Sequence, residues 1–537
     1  MVTPNENLAA SLAQLEKLQG RGRRVFRSGE LTRVHRTRLV RNGFLCEVMK
    51  GWLISCSPDT DPGDTTPWFT SFREFCAAYC TVRFGPDWHL SPEQSLLLHA
   101  EYTVIPQQVV IYTPKGTNNT VELLFGTSLF DLRERDMPSE ADLTDRGGLR
   151  LFVPEAALLR VPEAFFVRHP VEAQVILSGI RDAADLLGRL LDGGRSVIAG
   201  RLAGAFRRIG RGDVGDEILG VMKRADYDVR EADPFEPERV FGALSRAQTP
   251  IVGRLQSLWE TMRKPVIAAF PEAPDLPDDP EAYLSFVDDI YRNDAYHSLS
   301  IEGYRVTPEL IDRVRAGNWD PDNLDDDRQS RDALAARGYW QAFRLVRAAV
   351  SEIIGGGEAG ALVHKAHRDW YRELFQPCVT AGLIAASALA GYRNDAVFLR
   401  RSRHVPPRWE AMRDAMPALF DLLESETEPS VRAVLGHWLF GYVHPYPDGN
   451  GRVARFVMNA MLASGGYPWT VIRVEDRDTY LAALESASID QDIGPFAQFV
   501  ADRVAWSLER AASVHTKVES PVEGTRPSAA NVQLEQP

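Results

Sequence analysis

The chain is 537 residues long, 44% hydrophobic and 25% charged, which excludes a disordered or fibrous protein and, at roughly 150 residues per domain, a single small module. Its formal charge of −13 means that the molecule as a whole does not attract nucleic acid, so any such contact is local. Five cysteines, Cys46, Cys56, Cys76, Cys80 and Cys378, are too few and too odd in number for a disulfide framework; with no signal-peptide pattern and no membrane-length apolar run, they point to a reducing, cytoplasmic setting.

In chain order, residues 21–50 come first, with nine Lys or Arg against two Glu, the largest local charge asymmetry in an acidic chain. A helical pattern runs from Leu31 through Val34 to Leu39, stops at Asn42-Gly43, and gives way to two short strands over Phe44–Ile54 turned at Lys50-Gly51. Helix, turn and hairpin predict a winged helix-turn-helix over 1–56, with Arg33, Arg36, Arg38 and Arg41 as candidate DNA phosphate contacts. The same face reads equally well as a solvated or protein-docking surface. Residues 57–235 read as an α+β regulatory region, with strands at VVIYT (109–113) and VELLF (121–125) and helical periodicity over 171–225. Cys76 and Cys80 form a CxxxC without the second pair that a zinc site needs. A connecting segment, 236–282, ends in PEAPDLPDDPE (271–281), whose prolines recur every three residues among acidic ones and favour an extended linker. A mostly helical segment, 283–510, follows, and a polar tail, 511–537, is predicted to be disordered. The acidic run at 320–327 is a solvated loop, and His364 and His367 lack a third ligand.

The chemistry concentrates in HPYPDGNGRVAR, residues 444–455. Pro445 drives His444 out of helical geometry, so the apolar helix VLGHWLFGYV ends there and presents an imidazole at the mouth of a loop. Gly449, Asn450 and Gly451 let the backbone curl its N–H groups inward before a buried helix starts, a natural phosphate site. Arg452 and Arg455 share a face in that helix's first turn, where two cations oppose the macrodipole unless an anion is present. Asp448 is the loop's one hard oxygen ligand and suits a Mg²⁺ that also touches phosphates.

This string resembles the Fic signature HxFx[D/E]GNGRxxR at every position except the aromatic, which is Tyr446 where the family usually has Phe. The resemblance covers about 283–510 and includes AGYRNDAVFL (390–399) with RHVPP (403–407). It implies a multidomain architecture: a mainly α-helical Fic fold with a β-hairpin flap in the C-terminal half, behind an α+β N-terminal region that starts with the winged helix-turn-helix. Fic proteins mostly transfer AMP from ATP to a protein hydroxyl. By resemblance, His444 is the general base and Asp448 holds Mg²⁺ on the α- and β-phosphates. Gly449 to Gly451 form the anion hole, Asn450 fixes the α-phosphate, and Arg452 and Arg455 bind the remaining phosphates. Val397, Phe398 and Leu399 belong to the flap that aligns the target chain.

Upstream, YHSLSIEGYRVTPE places Ser298 and Glu302 four apart on one helical face, with Gly303 as a natural helix end. A glutamate in a last turn faces the negative end of the dipole and calls for a cation; Arg455 needs an anion. The segment resembles the inhibitory motif [S/T]xxxE[G/N] of Fic proteins, by which a helix near 294–303 sets Glu302 on Arg455 in place of the γ-phosphate.

The sequence therefore predicts an autoinhibited protein adenylyltransferase using ATP and Mg²⁺ on a Ser, Thr or Tyr of protein targets, with self-modification, a reverse deAMPylation open to Glu302, and a homodimer within reach. Two alternatives are a Fic transferase moving UMP, phosphocholine or phosphate, and a DNA-binding regulator using the Fic domain as a nucleotide sensor.

Overall fold

The computed structural model describes residues 4–58, 63–237, 249–318 and 331–518. The acidic run at 320–327 and residues 519–537 lie outside the described residues.

The N-terminal unit packs helices Pro4–Gln19 and Arg33–Arg41 on a three-stranded antiparallel sheet, β1 (Val25–Arg27), β2 (Leu45–Met49) and β3 (Trp52–Ser55), in the order β1-β3-β2. Thr32 caps the second helix by accepting from His35 N, and Leu15, Phe26, Leu31, Leu39, Leu45 and Leu53 form a small core. Helix and hairpin fall where the sequence puts them. Of the four candidate DNA-contacting arginines, Arg38 instead donates to Asn7 O (2.7 Å) and Ser11 Oγ (2.8 Å), tying the two helices together. Arg36 donates to Ser28 O (3.1 Å), and Arg33 and Arg41 are exposed. The expectation of free thiols is corrected at one place. Cys46, paired with Ile54 across the hairpin, is joined to Cys56 by a disulfide, because the register leaves both at one end of the sheet. Cys76 and Cys80 are buried thiols, Cys76 pushed up to about 12 by burial.

The next region carries a four-stranded sheet, β4 (His89–Leu90), β5 (Gln108–Thr113), β6 (Asn119–Glu122) and β7 (Ser128–Arg133), in the order β4-β5-β7-β6, with only β5 and β7 parallel. A hairpin, β8 (Leu143–Arg146) and β9 (Leu149–Phe152), and a string of helices through Gly212–Arg224 complete it. The expected strand at 121–125 starts earlier and ends at Glu122; Phe125 has turned into left-handed backbone at φ 51°.

The C-terminal half is one helical core. It includes helix Pro250–Ala269, which the sequence assigns to the connecting segment: its period-3.6 stripe of Leu255, Leu258, Trp259 and Met262 is buried there, and Trp259 Nε1 donates to Glu426 (3.1 Å). The last helix, Gly494–Val518, runs past the predicted boundary at 510. The expected β-hairpin flap forms no strand ladder: residues 390–408 run through bends and a turn at 400–401, and their one pairing is a single bridge from His404 to Val104 in the α+β region. Pro406 and Pro407 carry no N–H to donate to a ladder.

A buried polar seam joins the two halves. The fully buried pair Arg254 and Glu172 is 2.7 Å apart, and Arg254 Nε donates to Tyr442 Oη (2.7 Å). Thr103 Oγ1 lies 3.0 Å from Tyr442 Oη and 3.0 Å from His404 Nδ1, while His404 Nε2–H donates to Tyr442 O (2.9 Å). Every member has one consistent donor direction, ending two residues before His444.

Candidate active site

The helix Pro429–Val443 is apolar and almost wholly buried, so little in its own composition stops it. It stops because Pro445 disfavours the α region at His444, which takes left-handed angles of φ 52° and ψ 61°. His444 Nδ1 lies 3.2 Å from Gly441 O; a carbonyl only accepts, so Nδ1 carries the proton and Nε2 keeps its lone pair. Burial, aided by the Arg393 charge, pushes the imidazole down to about 4 against the opposing pull of Gly441 O, Glu302 and Asp448. It is therefore a neutral acceptor at physiological pH.

The loop after it is rigid. The Tyr446 ring stacks on Tyr371 with centroids 3.8 Å apart and planes 5° apart, as a Phe-like ring would, and its buried hydroxyl has no partner. Asn450 accepts from Tyr446 N (2.9 Å) and donates to Tyr446 O (2.8 Å). At 2% exposure its amide bonds within the loop and holds the turn on which its predicted role toward the α-phosphate depends. Gly449, at φ 78°, makes the left-handed entry to helix Asn450–Ala463.

Arg452 is 1% exposed, sandwiched between the rings of Phe375 (4.9 Å) and Tyr304 (5.3 Å), with Nε unpartnered and Asp448 Oδ2 its nearest carboxylate at 3.5 Å. Its ion pair with the exposed Asp448 is long and leaves Nε unpartnered, and its position on a helix N-terminus makes an anion the natural completion. Tyr304 and Phe375, which hold it, leave no sequence signal beyond being aromatic.

Arg455, also buried, is occupied. Its Nε donates to Ser298 Oγ (2.8 Å) and its Nη2 to Ser298 O (3.0 Å) and Glu302 Oε1 (2.7 Å). These partners come from helix Pro280–Ile301, started by the Asp279 cap on Ala282 N (3.0 Å) and ended at Gly303 with φ 86°. Burial acts to raise the Glu302 carboxyl, but Arg455 and Arg452 outweigh it and hold the group below the usual carboxylate range. Gly451 permits this approach, since a Cβ there would run into the Glu302 carboxylate.

Asp448 is 59% exposed at its side chain, with Oδ1 accepting Gly449 N at 2.6 Å. Among the described residues no cluster of three or more His, Cys, Asp or Glu is placed to hold a metal. A single accessible carboxylate still fits Mg²⁺, which takes most of its ligands from phosphate and water. His444, Glu302, Gly451 and Arg455 open into a cavity of about 690 Å³ rimmed by Leu399, Arg400, Arg401 and Arg477. Of the predicted flap residues, Leu399 reaches this cavity; Phe398 lies under Arg24 of the N-terminal unit (5.9 Å), and Val397 is half-buried. Arg393, for which the sequence offers no signal, meets the His444 turn directly by donating to His444 O (2.8 Å).

Residues 361–462 match the Fic/DOC family, so this stretch is a Fic domain. Over 114 residues the chain is 44% identical to "Protein adenylyltransferase Fic" of Nematostella vectensis, covering 20% of this chain and 26% of that protein. It is 33% identical over 120 residues to "Protein adenylyltransferase fic-1" of Caenorhabditis elegans, covering 22% and 23%. The matches thus span about a quarter of the length of these curated relatives. The solved "Fic-1 (aa134 - 508) from C. elegans" aligns over 68% of this chain and 92% of that one at 17% identity, with a TM-score of 0.37. Among the described residues no helix is long and apolar enough to cross a membrane.

Proposed function

We propose that this chain is an autoinhibited protein adenylyltransferase, transferring AMP from Mg-ATP to a Ser, Thr or Tyr hydroxyl of a protein target. The observation that carries the reading is the neutral His444, with Nε2 free to accept, on the same loop as a buried, under-compensated cation at a helix N-terminus. The target oxygen attacks the α-phosphorus, the bond to the bridging oxygen of the β-phosphate breaks, pyrophosphate leaves, and His444 takes the hydroxyl proton. Arg452 and the turn Gly449–Gly451 receive phosphate charge, and Asn450 keeps that turn in shape. Asp448 would hold Mg²⁺, which supplies charge neutralisation on the phosphates. Glu302 on Arg455 is the brake: it fills with a carboxylate the cation that the γ-phosphate needs.

The test is to incubate wild type, Glu302→Gly and His444→Ala with Mg-ATP and cell extract and read mass increments on every modified protein, the enzyme included. An AMP-sized increment that grows in Glu302→Gly and vanishes in His444→Ala supports the reading. Transfer of UMP, phosphocholine or phosphate instead would replace the donor, and no transfer in Glu302→Gly would remove the reading. AMP release from a modified target by wild type alone would assign deAMPylation to Glu302.

The N-terminal unit, with Arg33 and Arg41 exposed beside a three-stranded sheet, supports a second role as a winged helix-turn-helix DNA contact. Retention on DNA at low salt that Arg33→Glu and Arg41→Glu abolish supports it; no retention at any salt removes it. Alkylation of Cys46 and Cys56 at lysis tests the cytoplasmic placement, since a reducing compartment keeps both as thiols.

A further inference from the structure

Arg393 is 4% exposed and sits on the extended segment between helices Ala359–Thr380 and Met412–Ser425. Each of its side-chain hydrogen bonds goes to a main-chain carbonyl. Nε donates to His444 O (2.8 Å), Nη1 to Asp395 O (2.9 Å), and Nη2 to Pro407 O and, at 3.4 Å, Val443 O; its own N–H donates to Pro445 O (2.8 Å). The contacts thus fall on two places, three consecutive residues of the catalytic turn and both ends of the 395–407 segment.

We propose that Arg393 is the positioning residue that holds His444 in its left-handed turn, with the ring nitrogen toward the target hydroxyl, and that it locks the 395–407 segment to that turn. The inference rests on the reading of His444 as the general base.

Three physical arguments support it. A helix end leaves its last carbonyls without partners, and here the protein has spent a buried cation on Val443 and His444, where a cation meets the negative end of the dipole. A non-glycine residue in left-handed geometry persists only when its surroundings over-determine it; the Arg393 bonds to His444 O and Pro445 O fix both peptides that follow the His444 Cα. The guanidinium fork is also the one side chain that reaches this many carbonyls from a single point, which a lysine ammonium or a glutamine amide does not. The charged and titratable groups facing His444 are Arg393 from the extended segment, Glu302 from the preceding helix end, Asp448 from the loop, and His404 from the seam. Of these, Arg393 is the fixed cation, so it also opposes protonation of the ring.

The experiment uses the full chain carrying Glu302→Gly, with Arg393→Gln and Arg393→Lys added separately. ATP affinity is measured by calorimetry, His444 titration by imidazole NMR assigned through His444→Ala, and transfer by single turnover. The expected result is ATP affinity within about twofold of the parent and transfer slowed by about 100-fold. The His444 midpoint moves up by about one pH unit in Arg393→Gln and less in Arg393→Lys, which keeps the charge without the fork. An unmoved midpoint with affinity and rate falling together would make Arg393 a merely structural residue, and an unchanged rate would overturn the proposal. If Arg393→Gln does not fold, Arg393→Lys carries the test through its rate loss at retained affinity. If the parent transfers nothing, the adenylyltransferase reading fails by that result, while the midpoint and affinity still decide whether Arg393 sets the state of His444.

Discussion

At the scale of single residues, the site is a contest between burial and charge. His444 stays neutral because burial lowers it to about 4, so the acid limb of the transfer rate in Glu302→Gly is expected well below the ordinary histidine value of about 6.5; a pH–rate profile at saturating Mg-ATP measures it. Removing the proposed base as His444→Ala should cost about 10²- to 10⁴-fold in that rate. The same burial has a stability consequence. His404 and His437 are almost completely buried and pushed down to about 3. A group depressed on folding contributes fully above its unfolded value and loses that contribution as pH falls toward the folded one. Each is thus expected to withdraw about 2 kcal/mol by pH 5 relative to pH 7.5, and denaturant melts at the two pH values test this. The Tyr446 hydroxyl is buried without a partner, so Tyr446→Phe should leave the stack on Tyr371 intact and raise stability by about 1 kcal/mol, read as a shift of the urea midpoint at unchanged slope.

At the scale of elements, two helix ends meet head to tail. The C-terminal end of Pro280–Ile301 brings a carboxylate, and the N-terminal turn of Asn450–Ala463 brings Arg455 and a glycine that leaves room for it. Each end satisfies the other's dipole, so the proposed brake is at the same time a packing contact. Glu302→Gly is accordingly expected to raise self-modification with Mg-ATP at least tenfold while lowering the thermal midpoint, and a rise in activity without loss of stability would separate the two roles. The elements also mark the reach of sequence reasoning. The SxxxEG and DGNGR spacings are local, so helix period and glycine chemistry alone bring Ser298, Glu302 and Arg455 to the proper faces. The flap was not legible in the same way. It is implied by the resemblance alone, and a segment becomes a hairpin only if a partner strand is available; here Arg393 and the 404 bridge take up the backbone instead.

At the scale of the whole molecule, the helical half does not end where the motif resemblance does. Helix Pro250–Ala269 is part of its core, and Arg254 on that helix connects Glu172 to Tyr442. Arg254→Met leaves Glu172 buried without its cation and should destabilise the chain by about 3–5 kcal/mol. Arg254→Met with Glu172→Gln should recover part of that loss, and a urea-melt cycle of the four proteins measures the coupling. The cores of the α+β region and of the helical half meet at this seam, so the α+β region stands within two residues of the His444 turn.

The tight turn at Gly449–Gly451, the approach of Glu302 to Arg455 and the N-terminal helix and hairpin follow from sequence, because each depends on spacing within one helix turn, one loop or one hairpin. The recruitment of Pro250–Ala269 into the helical core, the aromatic sandwich around Arg452 and the bonds from Arg393 to His444 do not. They join residues whose neighbours are set by packing across as many as a few hundred positions, where no local propensity carries information and burial alone selects which polar groups must find each other.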